Sequence, residues 1–158
     1  MAPTAGSAQR LFMRSMKATS QMGEVRVRVR LTNVADAHAA TEGRLPSDQV
    51  RQVEADALVD TGAVRSCVPG PVLEQLGLRP YKLQMVEYAD GRKDSIGIAD
   101  GIRFEIMRRT SSDDALVVGD EVLIGQTLLE KMDLLVDCAG QRLVPNPAHP
   151  DVPVNKLK

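Results

Sequence analysis

Apolar and polar residues alternate from the first ordered-looking stretch of the chain. In Glu24–Thr32 (EVRVRVRLT), Val25, Val27, Val29 and Leu31 alternate with Arg26, Arg28 and Arg30. That period of two predicts a half-buried strand with its arginines on the outer face. Residues 33–50 lose the pattern, are rich in alanine and polar side chains, and predict a long loop with at most a helical turn. Strand patterning resumes over Val53–Val59 and runs directly into Asp60-Thr61-Gly62-Ala63. A second apolar step, Ser66-Cys67-Val68, ends at Pro69-Gly70-Pro71. Proline suits the first turn of a helix and glycine its end, so a short helix is expected from Pro71 to Leu76, stopped at Gly77.

Residues 81–107 predict a long antiparallel hairpin, with arms YKLQMVEY and DSIGIADGIRFEIM and a turn at Ala89-Asp90-Gly91-Arg92. Asp-Gly between strand-like runs is a strong hairpin signal. On the return arm Ile102, Phe104 and Ile106 are expected to share the buried side. Arg108–Asp114 reads as a polar loop and Ala115–Val118 as a short strand. Leu123-Ile124-Gly125 then opens a helix over Gln126–Met132, and a last hairpin pairs Leu134–Val136 with Arg142–Val144 around Ala139-Gly140. The expected organisation is a tail over 1–23, one all-β domain over 24–146 with one or two short helices, and an extended proline-rich tail over 147–158.

Composition adds bounds to this picture. At 158 residues the chain fits one domain, and 43% hydrophobic with 26% charged residues is ordinary for a globular protein. Aromatics make up 3%, so the core has to be aliphatic. Twenty Lys and Arg against 21 Asp and Glu leave a formal charge of −1, which gives no overall pull toward nucleic acid or membrane. Arg26, Arg28 and Arg30 could touch phosphates, but a solvated outer sheet face, or an edge kept soluble by charge, is the favoured explanation, and aromatic stacking residues are scarce. Cys67 and Cys138 match no metal or redox spacing and are expected to be buried thiols. Two histidines, His38 and His149, leave little for a structural zinc site, so neither metal nor cofactor is expected.

Residues 1–23 contain no acid, and Arg10, Arg14 and Lys17 stand opposite Leu11, Phe12 and Met16. The stretch fits a disordered tail, a pro-segment or an organelle transit peptide. A cytoplasmic location is the default, with an organelle as the alternative.

The ordered set of features around Asp60 resembles the retropepsin-like, single-domain aspartic proteases over about residues 24–145. An apolar strand delivers Asp60-Thr61-Gly62, Ala63 follows, a long hairpin intervenes, and Leu123-Ile124-Gly125 opens a later helix. The resemblance implies a closed acid-protease barrel whose active site forms at a homodimer interface. It implies Asp60 as the catalytic carboxylate, with Thr61 locking the two loops across the dimer axis and Gly62 and Ala63 passing close to substrate. It makes Tyr88, Ala89, Asp90 and Gly91 the tip of a substrate-covering flap, and Leu123, Ile124 and Gly125 the segment behind the Asp loop.

Peptide hydrolysis by this route needs a water between two carboxylates, one ionised and one protonated. The motif occurs once in this chain, so Asp60 would meet its own copy across a twofold axis. One Asp implies two chains. A peptide or protein is the implied substrate. The alternative is a catalytically silent module of the same fold that binds a peptide or a protein partner.

The sequence departs from the viral pattern at two linked positions. An acidic residue and an arginine that form an ion pair near the viral dimer interface are replaced here by Val64 and Gln126. Losing both avoids stranding a buried charge. It implies a weaker or differently built dimer, with Arg65, the terminal strands or the C-terminal hairpin as candidates.

Overall fold

The computed structural model describes residues 23–157, so the readings of residues 1–22 as pro-segment or transit peptide lie outside the described residues. Among those described there are nine strands and three short α-helices. The strands are β1 (Val25–Asn33), β2 (Gln52–Val59), β3 (Cys67–Val68), β4 (Lys82–Glu87), β5 (Lys93–Ile106), β6 (Arg109–Val117), β7 (Leu123–Ile124), β8 (Leu134–Asp137) and β9 (Arg142–Pro145). The helices are α1 (Val34–Thr41), α2 (Gly70–Gln75) and α3 (Gln126–Met132).

The main sheet runs β1-β2-β7-β3-β6-β5-β4, and β5 also pairs with β1, from Arg30↔Glu105 to Asn33↔Ile102. That extra pairing closes six strands into a barrel and leaves β4 outside it, hydrogen-bonded on one side to β5. One long strand therefore serves two structures. Its register shifts between Ala99 and Ile102, where Gly101 takes a φ of 73°. A bulge of this kind bends a strand, and glycine adopts positive φ without steric cost. The β8–β9 hairpin forms a separate two-stranded sheet.

The barrel core is aliphatic around one aromatic. Leu31, Ile102, Phe104, Ile106, Ile124, Leu128 and Met132 are each fully buried. Removing such side chains from water stabilises the fold by roughly 1.5–3 kcal/mol apiece before chain entropy is counted. The alternation in β1 is realised: Val25, Val29 and Leu31 are buried while the arginines face outward. Those arginines are engaged with carboxylates. Arg26 reaches Glu24 at 2.8 Å and Glu121 at 3.1 Å, and Arg30 reaches Glu54 at 2.9 Å. Arg28 lies 3.4 Å from the same Glu54. The outer face is thus a mixed-charge network and not a cationic stripe.

Three local expectations need correction. Residues 34–41 form a helix, because Asn33 caps it: its Oδ1 accepts from the Asp36 backbone N–H at 3.0 Å, and alanine supplies the propensity. Of the supposed polar loop at 108–114, residues 109–114 are the first part of β6, since pairing with β5 overrides their polar composition. The turn before it, Met107-Arg108, has φ of 52° and 66°, a conformation whose usual Gly and Asn are absent. Cys138 is exposed, because it stands in the β8–β9 turn and not in a strand face.

The C-terminal segment is tied to the body. Asp133 ends α3 in the left-handed conformation, and its carboxylate accepts from Asn146 Nδ2 at 2.9 Å and from the Val154 backbone N–H at 3.0 Å. His149 Nδ1 lies 2.7 Å from the same carboxylate, and the Val154 and Asn146 contacts, with His149, hold Asp133 down to about 2. Below it the buried Arg109 donates to the carbonyls of Met132 and Asp133, at the negative end of α3.

Candidate functional site

The chain leaves β2 at Val59 and turns at Asp60. β2 runs antiparallel to β1, with Val25 opposite Val59, and parallel to β7, with Val59 beside Ile124. The Asp60 backbone N–H donates to the Ile124 carbonyl at 3.0 Å, so β7 fixes where the aspartate emerges. The turn is then closed on itself. Ala63 N–H donates to the Asp60 carbonyl at 3.2 Å, and Gly62 N–H donates to Asp60 Oδ1 at 2.9 Å. A side chain at Gly62 would start 3.2 Å from that same oxygen. Asp60 is half-buried, while Thr61 and Gly62 are exposed.

The far side of the loop is clamped to the start of α3. Gln126 N–H donates to the Ala63 carbonyl at 2.8 Å and Thr127 N–H to the Val64 carbonyl at 3.1 Å. Gly125 passes so close that a Cβ there would lie 2.6 Å from the Arg65 carbonyl. Its own N–H donates to the Ser66 hydroxyl at 3.0 Å, deep in the interior. Asp60, Gly62 and Ala63 are thus brought together with Ile124 and Gly125, while Leu123 pairs with Leu58 and Cys67 in the layer beneath.

The hairpin β4–β5 pairs from Lys82↔Ile98 to Glu87↔Lys93. Its tip is held by Tyr88 N–H to the Arg92 carbonyl at 2.8 Å and Gly91 N–H to the Tyr88 carbonyl at 2.9 Å, with Gly91 at φ 85°. Asp90 Oδ1 accepts from the Arg92 N–H at 3.0 Å, and this bond holds the Asp90 carboxyl below its ordinary range. Ala89 is exposed in the same turn. The tip residues Tyr88, Ala89, Asp90 and Gly91 therefore share one tight turn at the end of the two arms.

Hairpin and Asp60 loop meet over a second, smaller apolar cluster. Leu58, Cys67, Ile96, Val118 and Leu123 form it, with Ala63 from the loop and Val86 from β4 packed against it. Burial pushes the Cys67 thiol up to about 11, and the Asp60 anion adds to that while the Arg65 cation opposes it. A second link is polar. Arg65 Nη1 donates to Gln84 Oε1 on β4 at 3.0 Å, and its Nη2 lies 2.9 Å from Asp114 Oδ2 on β6. Arg65 is thus engaged within its own chain, and Gln126 turns to its own helix, donating to Glu130 at 3.2 Å.

Two residues of this assembly carry no motif. Ser66 is an ordinary strand residue in the sequence, yet its hydroxyl anchors Gly125. Gln84 is one of several polar residues in a strand arm. Their partners are distant in sequence and no local pattern announces them.

Apolar side chains of the Asp60 loop and of β4 are exposed. Val64 is 69% exposed, Leu83 71% and Met85 61%. The free edge of β4 adds a row of backbone groups facing solvent. Among the described residues no group of three or more His, Cys, Asp or Glu side chains is placed to hold a metal, and no helix is long and apolar enough to cross a membrane.

No family model matches the sequence, and no curated protein matches it. Among solved structures the chain is similar to the solution structure of simian foamy virus (mac) protease, with 17% identity, 66% of this chain and 90% of that chain covered, and a TM-score of 0.44. It is also similar to the retroviral protease-like domain of Ddi1 from Leishmania major, with 18% identity, 78% and 90% covered, and a TM-score of 0.49. Within this chain, the closed barrel, the turn after β2, the long hairpin and the Gly125 support follow in the order the sequence resemblance implied. The fold is retropepsin-like.

Proposed function

We propose that the protein is an aspartic endopeptidase whose active site forms when two copies bring their Asp60 carboxylates together. The observation that carries this reading is the presentation of Asp60. It stands half-buried on a turn closed by its own Oδ1 and backed by Gly125. A carboxylate held on so constrained a backbone is suited to fixing a water in one place. Facing its copy, it would share a proton across the pair: one carboxylate acts as general base on the water and the other, protonated, polarises the scissile carbonyl. Such proton sharing is the established behaviour of the carboxylate pair in aspartic proteases as a class, where two like charges in contact cannot both ionise cheaply.

Thr61, exposed beside Asp60, would contact its own counterpart across the axis. The hairpin β4–β5 would act as the flap, with Tyr88–Gly91 at its tip. An extended peptide fits the free edge of β4 by strand addition, with Leu83, Met85 and Val64 offering apolar contacts to alternate side chains. The substrate is accordingly a peptide or an unstructured protein segment with apolar residues near the cut. Activity is expected on the acid side of neutrality.

The test is cleavage of a diverse peptide library by wild type and Asp60→Asn, from acidic to neutral pH at high protein concentration. Cleavage by wild type alone supports the reading; equal cleavage by both proteins would sink it. A second reading has one observation in its favour. Val64 and Gln126 form no ion pair, and Arg65 is occupied within its own chain, so this part of the surface offers a dimer no charged anchor. A module that binds extended peptides along β4 without cutting them needs no dimer. A monomer at high concentration that binds peptides and leaves them intact would favour it.

A further inference from the structure

We infer that Arg65 is a positioning residue that latches the flap arm to the loop carrying Asp60, so that the arm is seated over that loop. The inference rests on the protease reading for its kinetic consequence, but the latch itself is a property of the fold.

The Cα of Arg65 is fixed by its neighbours. The carbonyls of Ala63 and Val64 accept from Gln126 and Thr127, and the Arg65 carbonyl packs directly on Gly125. From that fixed root the guanidinium spans two strands that do not touch each other in the sheet. Nη2 lies 2.9 Å from Asp114 on β6, and Nη1 donates to Gln84 on β4 at 3.0 Å. A planar fork suits such a bridge, because the carboxylate orients one nitrogen and thereby aims the other.

The flap arm has little else to hold it. β4 is the outermost strand and pairs with β5 alone. Tyr81, Leu83 and Met85 are exposed, and of the opposite face Val86 packs against the cluster shared with Ala63. Gln84 and Val86 thus form a polar and an apolar button on one face of the arm, the first fastened to Arg65 and the second to the cluster on which Ala63 also packs. Releasing Gln84 frees the arm without removing any contact of the barrel core. A lysine at 65 keeps one charge contact but lacks the second arm of the fork.

Hydrogen–deuterium exchange on the full chain tests this, with Arg65→Lys, Gln84→Leu and the double variant. The expected result is roughly fivefold faster exchange of the amides in 82–96 in each single variant, the factor one ordinary hydrogen bond supplies. The double variant should exchange no faster than either single one, and β1 and β2 should be unchanged. For peptide cleavage the singles should raise KM roughly fivefold with kcat nearly unaltered, since the latch seats the flap and performs no chemistry. Unchanged exchange in both singles, or additive effects in the double, would overturn the latch. So would a rise spread evenly over the barrel, which marks general destabilisation. If no protein cuts peptide while exchange responds as described, the latch stands and the protease reading falls.

Discussion

The backbone of Gly125 and the backbone of Arg65 touch: a side-chain carbon at Gly125 would sit 2.6 Å from both the carbonyl carbon and the carbonyl oxygen of Arg65. Neither partner is the tip of a flexible side chain, so nothing can yield without moving the Asp60 loop. Gly125→Ala is expected to destabilise the protein by about 3 kcal/mol, at the upper end for an overpacked site. Thermal unfolding of the purified variant checks this. A loss below about 0.5 kcal/mol, the level of a neutral surface change, would mean that the loop is softer than its hydrogen bonds suggest.

Ser66 supports the same contact from the other side. Its hydroxyl is the acceptor for Gly125 N–H in a buried setting. Ser66→Ala leaves that donor without a partner and is expected to cost about 2 kcal/mol in denaturant unfolding. Because Ser66 and Gly125 share one contact, the double variant should fall short of the sum of the singles.

The two cysteines should behave differently toward alkylation. Cys67 is 1% exposed with its thiol pushed up to about 11, whereas Cys138 is exposed. Thiolate is the reacting form, so native protein at about pH 8 should take one label, at Cys138, and two after unfolding. Peptide mapping by mass spectrometry reads the outcome. Prompt double labelling of native protein would show that the layer beneath Asp60 opens.

Acid stability depends on Asp133 and Asp36. Both are held at about 2, Asp133 by the Val154 N–H and Asn146 with His149, Asp36 by Arg51. Their folded values lie below the unfolded ones, about 3.9, so each stabilises the fold fully above that value. The contribution disappears as pH falls from about 4 to about 2. The melting temperature should therefore hold down to about pH 4 and drop below it, and Asp133→Asn should flatten the drop. An equally steep drop in that variant would remove Asp133 from the account. The proposed acid-side activity would thus have working room above about pH 4.

Much of this architecture could be read in the residues themselves. The alternation in β1, the Asp-Gly of the long hairpin, and the step from Leu123-Ile124-Gly125 into α3 are local patterns, and local patterns survive folding. What stayed hidden depended on partners elsewhere. β6 looks like a loop because Ser111, Ser112, Asp113 and Asp114 are polar, and it is a strand because β5 lies beside it. The roles of Ser66 and Arg65 arise from residues 59 and 19 positions away. The closure of the barrel by β1 and β5 likewise joins segments whose sequences carry no mark of each other. Asp60 and the Ile124-Gly125 segment behind it were legible; the Ser66 and Arg65 contacts that fasten them were not.

The open edge of β4 has a cost of its own. A strand edge left free receives any other unpaired strand, including the same segment of a nascent or partly unfolded copy. Lys82 and Glu87 at its ends, with Lys93 and Asp94 opposite, supply charges that discourage such stacking. Crowded synthesis is then the vulnerable moment of this protein's life, and selection on β4 would act on solubility and on the proposed peptide recognition at the same positions. Substitutions that make the arm more apolar should bind peptides better and accumulate in the soluble fraction less.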